Sequence, residues 1–103
     1  MEAVFAAVAD PTRRMLLERL RSEGPRSITD LAADLPITRQ AVAKHLALLH
    51  DAGLVRDRKQ GRERLQELNP LPLREVDDWL RPYAEAWDQR LAALPRHVEE
   101  HRE

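Results

Sequence analysis

Residues 27–53 read SITDLAADLPITRQAVAKHLALLHDAG, and this stretch decides the fold. Ser27-Ile28-Thr29-Asp30 has the form of a capping box with an acidic third residue, and Ile28, Leu31 and Leu35 follow at helical spacing. Pro36 closes that short helix, and Thr38 caps the next. Val42, Leu46 and Leu49 then mark i, i+4 and i+7 up to a glycine stop at Gly53. Two helices joined by Leu35-Pro36-Ile37 suggest a helix-turn-helix. An αα corner of any helical bundle shares this periodicity, so the flanks have to distinguish the two.

Beyond Gly53 the helical pattern lapses. Leu54 to Arg58, then Lys59-Gln60-Gly61, then Arg62 to Leu68 read as two strands around a glycine turn. Few of these residues are β-branched or aromatic, so the strands rely on packing against helices. A basic hairpin directly after a helix-turn-helix is the plan of a winged helix. Its wing, about residues 54–69, carries Arg58, Lys59, Arg62 and Arg64 near the tip. Arg62 and Arg64 are expected on one strand face by alternation.

The net charge is −1, yet the basic residues cluster. From Thr38 to Arg64 there is an excess of four positive charges, supplied by Arg39, Lys44, Arg56, Arg58, Lys59, Arg62 and Arg64 against Asp51, Asp57 and Glu63. A chain so divided can turn one basic face to a polyanion and keep its acidic surface away. The bland alternative is a solvated hairpin in which Asp57 and Glu63 pair with neighbouring arginines.

Toward the N-terminus, Val4, Phe5 and Val8 form the stripe of a short helix, about 2–9, that Asp10-Pro11 interrupts. Asp10 is an expected N-cap with proline at the first helical position, opening a second helix over 11–22 with Leu16, Leu17 and Leu20 inward. Gly24-Pro25 stops it. Arg13 and Arg14, at its start, are available to a phosphate or an acidic partner surface.

Toward the C-terminus, Val76, Trp79 or Leu80, Tyr83, Trp87, Leu91, Leu94 and Val98 repeat every three or four residues. Pro82 and Pro95 are expected to kink or divide this segment, giving helices near 71–81 and 83–94. The stripe holds both tryptophans and the single tyrosine, more aromatic area than a small DNA-reading core can cover. A second copy of the chain is the natural cover, with Val4, Phe5, Val8, Trp79, Tyr83, Trp87, Leu91 and Leu94 at the interface; folding back onto its own domain is the alternative.

Several chemistries are excluded. There is no cysteine, hence no disulfide, thiolate zinc site, iron–sulfur cluster or cysteine nucleophile. No glycine-rich phosphate loop or nucleophile elbow is present, so no enzymatic activity and no cofactor are expected. No apolar run approaches a membrane span and the N-terminus lacks the order of a signal peptide, so a soluble, cytoplasmic protein with no membrane partner is expected. His97, Glu100 and His101 have spacing compatible with zinc but make an incomplete site, and no metal site is assigned.

Val4-Phe5-Ala6-Ala7-Val8-Ala9-Asp10-Pro11-Thr12-Arg13-Arg14 resembles the opening of the ArsR/SmtB family of bacterial winged-helix repressors. Leu31-Ala32, the run Thr38 to Leu46, Leu49 and Ala52-Gly53-Leu54-Val55 are similar to that family's helix-turn-helix signature. The resemblance covers nearly the whole chain. It implies a mainly α winged helix-turn-helix with a two-stranded β-hairpin wing and N- and C-terminal dimerisation helices, about 2–9 and 71–101, in a single domain. It further implies a homodimer that represses transcription by occupying an operator. The family's metal-sensing patterns are missing: Asp30 to Asp34 contains no cysteine, and Asp88-Gln89-Arg90 places arginine where a histidine ligand would sit. The chain therefore resembles the metal-independent branch.

A recognition helix needs small residues for close approach, amides or cations for base edges, and a cap that meets phosphate. Thr38, Arg39, Gln40, Ala41, Lys44 and His45 supply these, with Arg39 and Gln40 in the first turn as the specificity residues. Arg58, Lys59, Arg62 and Arg64 are the wing contacts. The expected function is a sequence-specific, homodimeric repressor on double-stranded DNA with an inverted-repeat operator. The alternatives are a winged-helix interaction module without a DNA role and a zinc-responsive repressor using His97 and His101.

Overall fold

A computed structural model describes residues 1–93. The order of elements is α1 (Glu2–Val8), α2 (Pro11–Glu23), α3 (Ile28–Ala33), α4 (Arg39–Asp51), β1 (Val55–Gln60), β2 (Glu63–Leu68) and α5 (Leu73–Ala92). The helix starts follow local chemistry. Asp10, Ser27 and Thr38 each sit in extended backbone and accept a hydrogen bond from the main-chain N–H three residues on, at 3.0, 3.1 and 3.0 Å. Each such cap contributes about 1 kcal/mol.

The core is aliphatic and gathers on α4. Val42, Leu46 and Leu49 are buried together with Leu16 and Leu20 of α2, Leu31 of α3, and Leu54 and Val55 at the root of the hairpin. Val4 and Ala7 of α1 close one end of it. Gly53, at φ +78°, turns the chain out of α4. Its N–H bonds the His50 carbonyl at 2.9 Å and the Leu54 N–H bonds the Leu49 carbonyl at 2.9 Å, the paired closure of a Schellman motif. The buried Leu49 and Leu54 supply the apolar contact that accompanies it.

The strands pair antiparallel from Val55↔Leu68 to Gln60↔Glu63, so the two-residue turn is Gly61-Arg62, with Gly61 at φ +63°. The turn is tighter than the spacing predicts, two residues instead of three. Lys59 lies within β1, and Arg62 lies in the turn rather than on a strand face beside Arg64. The reason is that glycine takes the positive φ demanded by the first central position of a tight hairpin turn, which draws Gln60 into the ladder. An isolated bridge, Arg26↔Gln66, lays the α2–α3 connection along the other side of β2. Asn69 ties the end of the hairpin back: its N–H donates to the Leu54 carbonyl at 2.8 Å and its side-chain amide to the Gly53 carbonyl at 3.0 Å.

The expected break at Pro82 is not found, and α5 runs unbroken from Leu73 to Ala92 with Pro82 inside it. Proline forfeits only its own N–H bond and crowds one preceding carbonyl, while Leu80, Arg81, Ala84, Glu85 and Ala86 around it all favour helix. Leu94, Pro95, Val98 and the His97–His101 tail lie outside the described residues.

Gly53→Ala is expected to destabilise the fold by about 1–2 kcal/mol, because an L-residue is strained at this φ, while its Cβ would make only ordinary contact with Pro72. Denaturant titration of parent and variant, with an unchanged slope, measures it.

Candidate nucleic-acid interface

The buried stripe of α4 fixes which residues look outward. Arg39, Gln40, Lys44 and Ala47 are exposed and Ala41 and Ala43 half-buried, while Val42, Leu46 and Leu49 are at most 2% exposed. With about 3.6 residues per turn, Arg39, Gln40, Ala43, Lys44 and Ala47 form one continuous outward arc. Ala43, with Ile28, Arg39 and Gln40, lines an open depression beside this arc. Thr38 satisfies the Ala41 amide and leaves the earlier amides of the helix start free to face an anion.

His45 and His50 lie on opposite margins of the buried stripe, and both are engaged within the chain. The Arg13 guanidinium donates to His45 Nδ1 at 3.3 Å, and Asp10 Oδ2 lies 3.9 Å from the same nitrogen. A guanidinium only donates, so in this contact Nδ1 is the acceptor. His45 thus turns toward the α1–α2 corner rather than along the outward arc. Arg13 also donates to the carbonyls of Ala7 at 2.7 Å and Ala6 at 3.0 Å, and Arg14 to those of Val8 at 2.8 Å and Ala9 at 3.1 Å. These two arginines hold the open carbonyl end of α1, which replaces the expectation that they meet a phosphate or an acidic partner. Nothing in the local pattern announces it, because the partners are main-chain atoms that any sequence supplies.

In the wing, Arg56 and Arg58 both donate to Glu67, at 2.9 and 3.0 Å. Their guanidiniums, Arg56 first, hold the Glu67 carboxyl below its ordinary value. Part of the basic charge is therefore internally balanced, through Glu67 rather than through the expected Asp57 and Glu63. Lys59 and Arg64 stand directly opposite each other across the ladder, and Arg62 projects from the turn. All three are exposed and, like Arg39 and Lys44, have no acidic partner among the described residues.

The comparisons with known proteins agree with this geometry. Residues 8–58 match the family model described as a helix-turn-helix domain. The uncharacterized HTH-type transcriptional regulator YuzN of Bacillus subtilis is 40% identical over 81 residues, covering 73% of this chain and 88% of that one. The transcriptional repressor SdpR of the same organism is 30% identical over 91 residues, covering 88% and 100%. An ArsR-like transcriptional regulator from Rhodococcus sp. RHA1 superposes with a TM-score of 0.75 at 38% identity, covering 96% of this chain and 90% of that one.

The chain belongs to the ArsR family of transcriptional regulators. It is accordingly a DNA-binding regulator rather than an enzyme, with the mainly α winged helix-turn-helix of that family. No helix among the described residues is long and apolar enough to cross a membrane. Among these residues no cluster of three or more His, Asp or Glu side chains converges as a metal site would require.

In this ArsR-family chain α5 buries no residue, although Leu73 and Val76 at its start pack against the core. Phe5 of α1 meets Trp79 edge-on with ring centroids 5.4 Å apart, and Trp79 leads to Tyr83 at 5.0 Å. Trp79, Leu80, Tyr83, Trp87 and Leu91 remain exposed. Of the residues expected at a dimer interface, Val4 is only 4% exposed and sits in the core of its own chain, and Val8 is half-buried against that core.

Asp10 gives a pH signature. The Arg13 main-chain N–H, helped by the Arg13 charge, holds its carboxyl below the ordinary value. A depressed pKa stabilises the fold above the ordinary carboxylate range and loses that contribution as pH falls through the depressed value. Asp10→Asn keeps a capping oxygen but not the charge, so its melting temperature is expected to fall less than the parent's between about pH 6 and about pH 3.

Proposed function

We propose that the chain is a homodimeric repressor that occupies an inverted-repeat operator and blocks transcription by steric occlusion. The observation that carries this reading is the shared exposure of two sets of cations without an acidic partner among the described residues, Arg39 and Lys44 on the outward arc of α4 and Lys59, Arg62 and Arg64 on the wing. Arg39 and Gln40 in the first turn of α4 read base edges in the major groove, with Thr38, Ala41 and Lys44 beside them. Lys59, Arg62 and Arg64 neutralise phosphates, and Arg58 adds to them in so far as Glu67 leaves its donors free. His45 acts from behind, holding α4 to the α1–α2 corner.

The unfilled apolar face of α5, continued by Phe5, supports the dimer. In such a dimer two α4 helices enter successive major grooves about 34 Å apart. The whole chain then forms one unit, with the helix-turn-helix at about 27–53 and the pairing helices at about 2–9 and 71–101, working in the cytoplasm where the operator is. The repressor sense is supported by the likeness to SdpR.

Selection of bound duplexes from a random library at near-physiological salt tests the DNA reading. An enriched inverted repeat with half-sites about one helical turn apart is expected. Arg39→Ala is then expected to reduce discrimination between operator and random DNA by about 1–3 kcal/mol, whereas Arg62→Ala weakens both alike and flattens the salt dependence. Absence of enrichment, or equal losses for Arg39→Ala on both duplexes, overturns it.

The dimer has its own test. Trp87 is 63% exposed and is not among the buried core residues, so Trp87→Glu is expected to leave the fold intact and convert a sedimenting dimer to monomer. A dimer that survives this change refutes the α5 interface.

A further inference from the structure

Gln66 is the buried polar side chain among the described residues, at 2% exposure, and its bonds run to three separate parts of the fold. Its Oε1 accepts from His50 Nε2–H at 2.7 Å, in the last turn of α4. Its Nε2 donates to Asp57 Oδ1 at 2.8 Å, across the hairpin on β1. Its main-chain N–H donates to the Arg26 carbonyl at 2.7 Å and its carbonyl accepts from the Arg26 N–H at 3.0 Å, in the α2–α3 connection.

A buried amide is costly unless satisfied, and the neighbouring Leu65 and Leu68 show that apolar residues serve in this strand. What the amide adds is direction. Hydrogen bonds fix distance and angle, whereas apolar surfaces slide. Gln66 is also the outermost residue at which hydrogen bonds tie the hairpin to the body, with buried Leu65 packed one step further out. Beyond it residues 58–64 are exposed, and the Arg58 bond to Glu67 runs within the hairpin itself. Lys59 and Arg64 are the next pair outward on the same face of the ladder as Asp57 and Gln66, two residues along each strand.

We infer that Gln66 is a positioning residue for DNA binding: its Oε1 bond to His50 locks the wing to the recognition helix, and Asp57, its cross-strand partner, holds the amide in the orientation that this bond needs, so that Lys59 and Arg64, with Arg62 in the turn beyond them, are presented in fixed register with the outward arc of α4. The inference rests on the reading that the wing meets DNA. It assigns function to three residues that touch no nucleic acid themselves.

The test uses Asp57, which is exposed, so that its replacement removes no buried apolar side chain. Asp57→Ala and Asp57→Asn remove the same negative charge, but only asparagine retains an oxygen to accept from Gln66. On random-sequence duplex, Asp57→Asn is expected to bind at least as tightly as the parent, and Asp57→Ala about three- to tenfold more weakly, the worth of one hydrogen bond. In a Lys59→Ala/Arg62→Ala/Arg64→Ala background the Asp57→Ala loss is expected to vanish, because no tip cation is left to position. Equal binding by the two Asp57 variants, or a loss that persists undiminished in the background lacking the tip cations, overturns the inference while leaving the wing reading intact. Full-strength binding by Lys59→Ala/Arg62→Ala/Arg64→Ala refutes the wing contact itself, and the inference with it.

Discussion

Burial of the inner stripe of α4 is the constraint on which the rest of the molecule depends. Val42, Leu46 and Leu49 are sealed against α2, α3 and the root of the hairpin, and a helix held along one stripe has no freedom to rotate. Its outward arc is then determined, and so is the identity of the side chains presented to a groove. The same stripe sets the helix end: with Leu49 fixed, the Schellman closure through Gly53 seats Leu54 in the core and launches β1 from a defined point. Recognition helix and wing are thus two exits from one packed cluster.

Two polar attachments refine what packing begins, one at each margin of α4. His45 meets Arg13, which in turn holds the carbonyl end of α1, while His50 meets Gln66, which holds the wing. Apolar contact alone would leave α1 and the hairpin free to slide over the core by small amounts. The hydrogen bonds make those relations specific, at the expense of placing amide and imidazole groups where water is scarce.

The near-neutral charge of the chain conceals a division of labour among its cations. Arg13 and Arg14 hold helix carbonyls, Arg19 and Arg21 pair along α2, and Arg56 and Arg58 share Glu67. Arg39, Lys44, Lys59, Arg62 and Arg64 have no such occupation among the described residues. The aromatic residues are divided with equal clarity. The core has none of them, and Phe5, Trp79, Tyr83 and Trp87 all lie on the α1–α5 side of the molecule. One surface is thereby suited to a polyanion and another to apolar contact, without either intruding on the core.

The amino-acid sequence by itself determined the features that act over a few residues. The caps at Asp10, Ser27 and Thr38, the stop at Gly53, the inward stripe of α4 and the existence of a basic hairpin are all local, since cap bonds span three residues and helical periodicity four. The tertiary structure alone decided matters resting on partners distant in the chain. It gave Arg13 and Arg14 to α1, turned His45 away from the outward arc, laid Arg26 beside β2 and put Gln66 between His50 and Asp57. It carried α5 through Pro82, at the expense of one main-chain hydrogen bond and a crowded carbonyl. Local chemistry names which groups need partners; only the packed chain, by bringing remote segments within hydrogen-bonding distance, selects which partners they find.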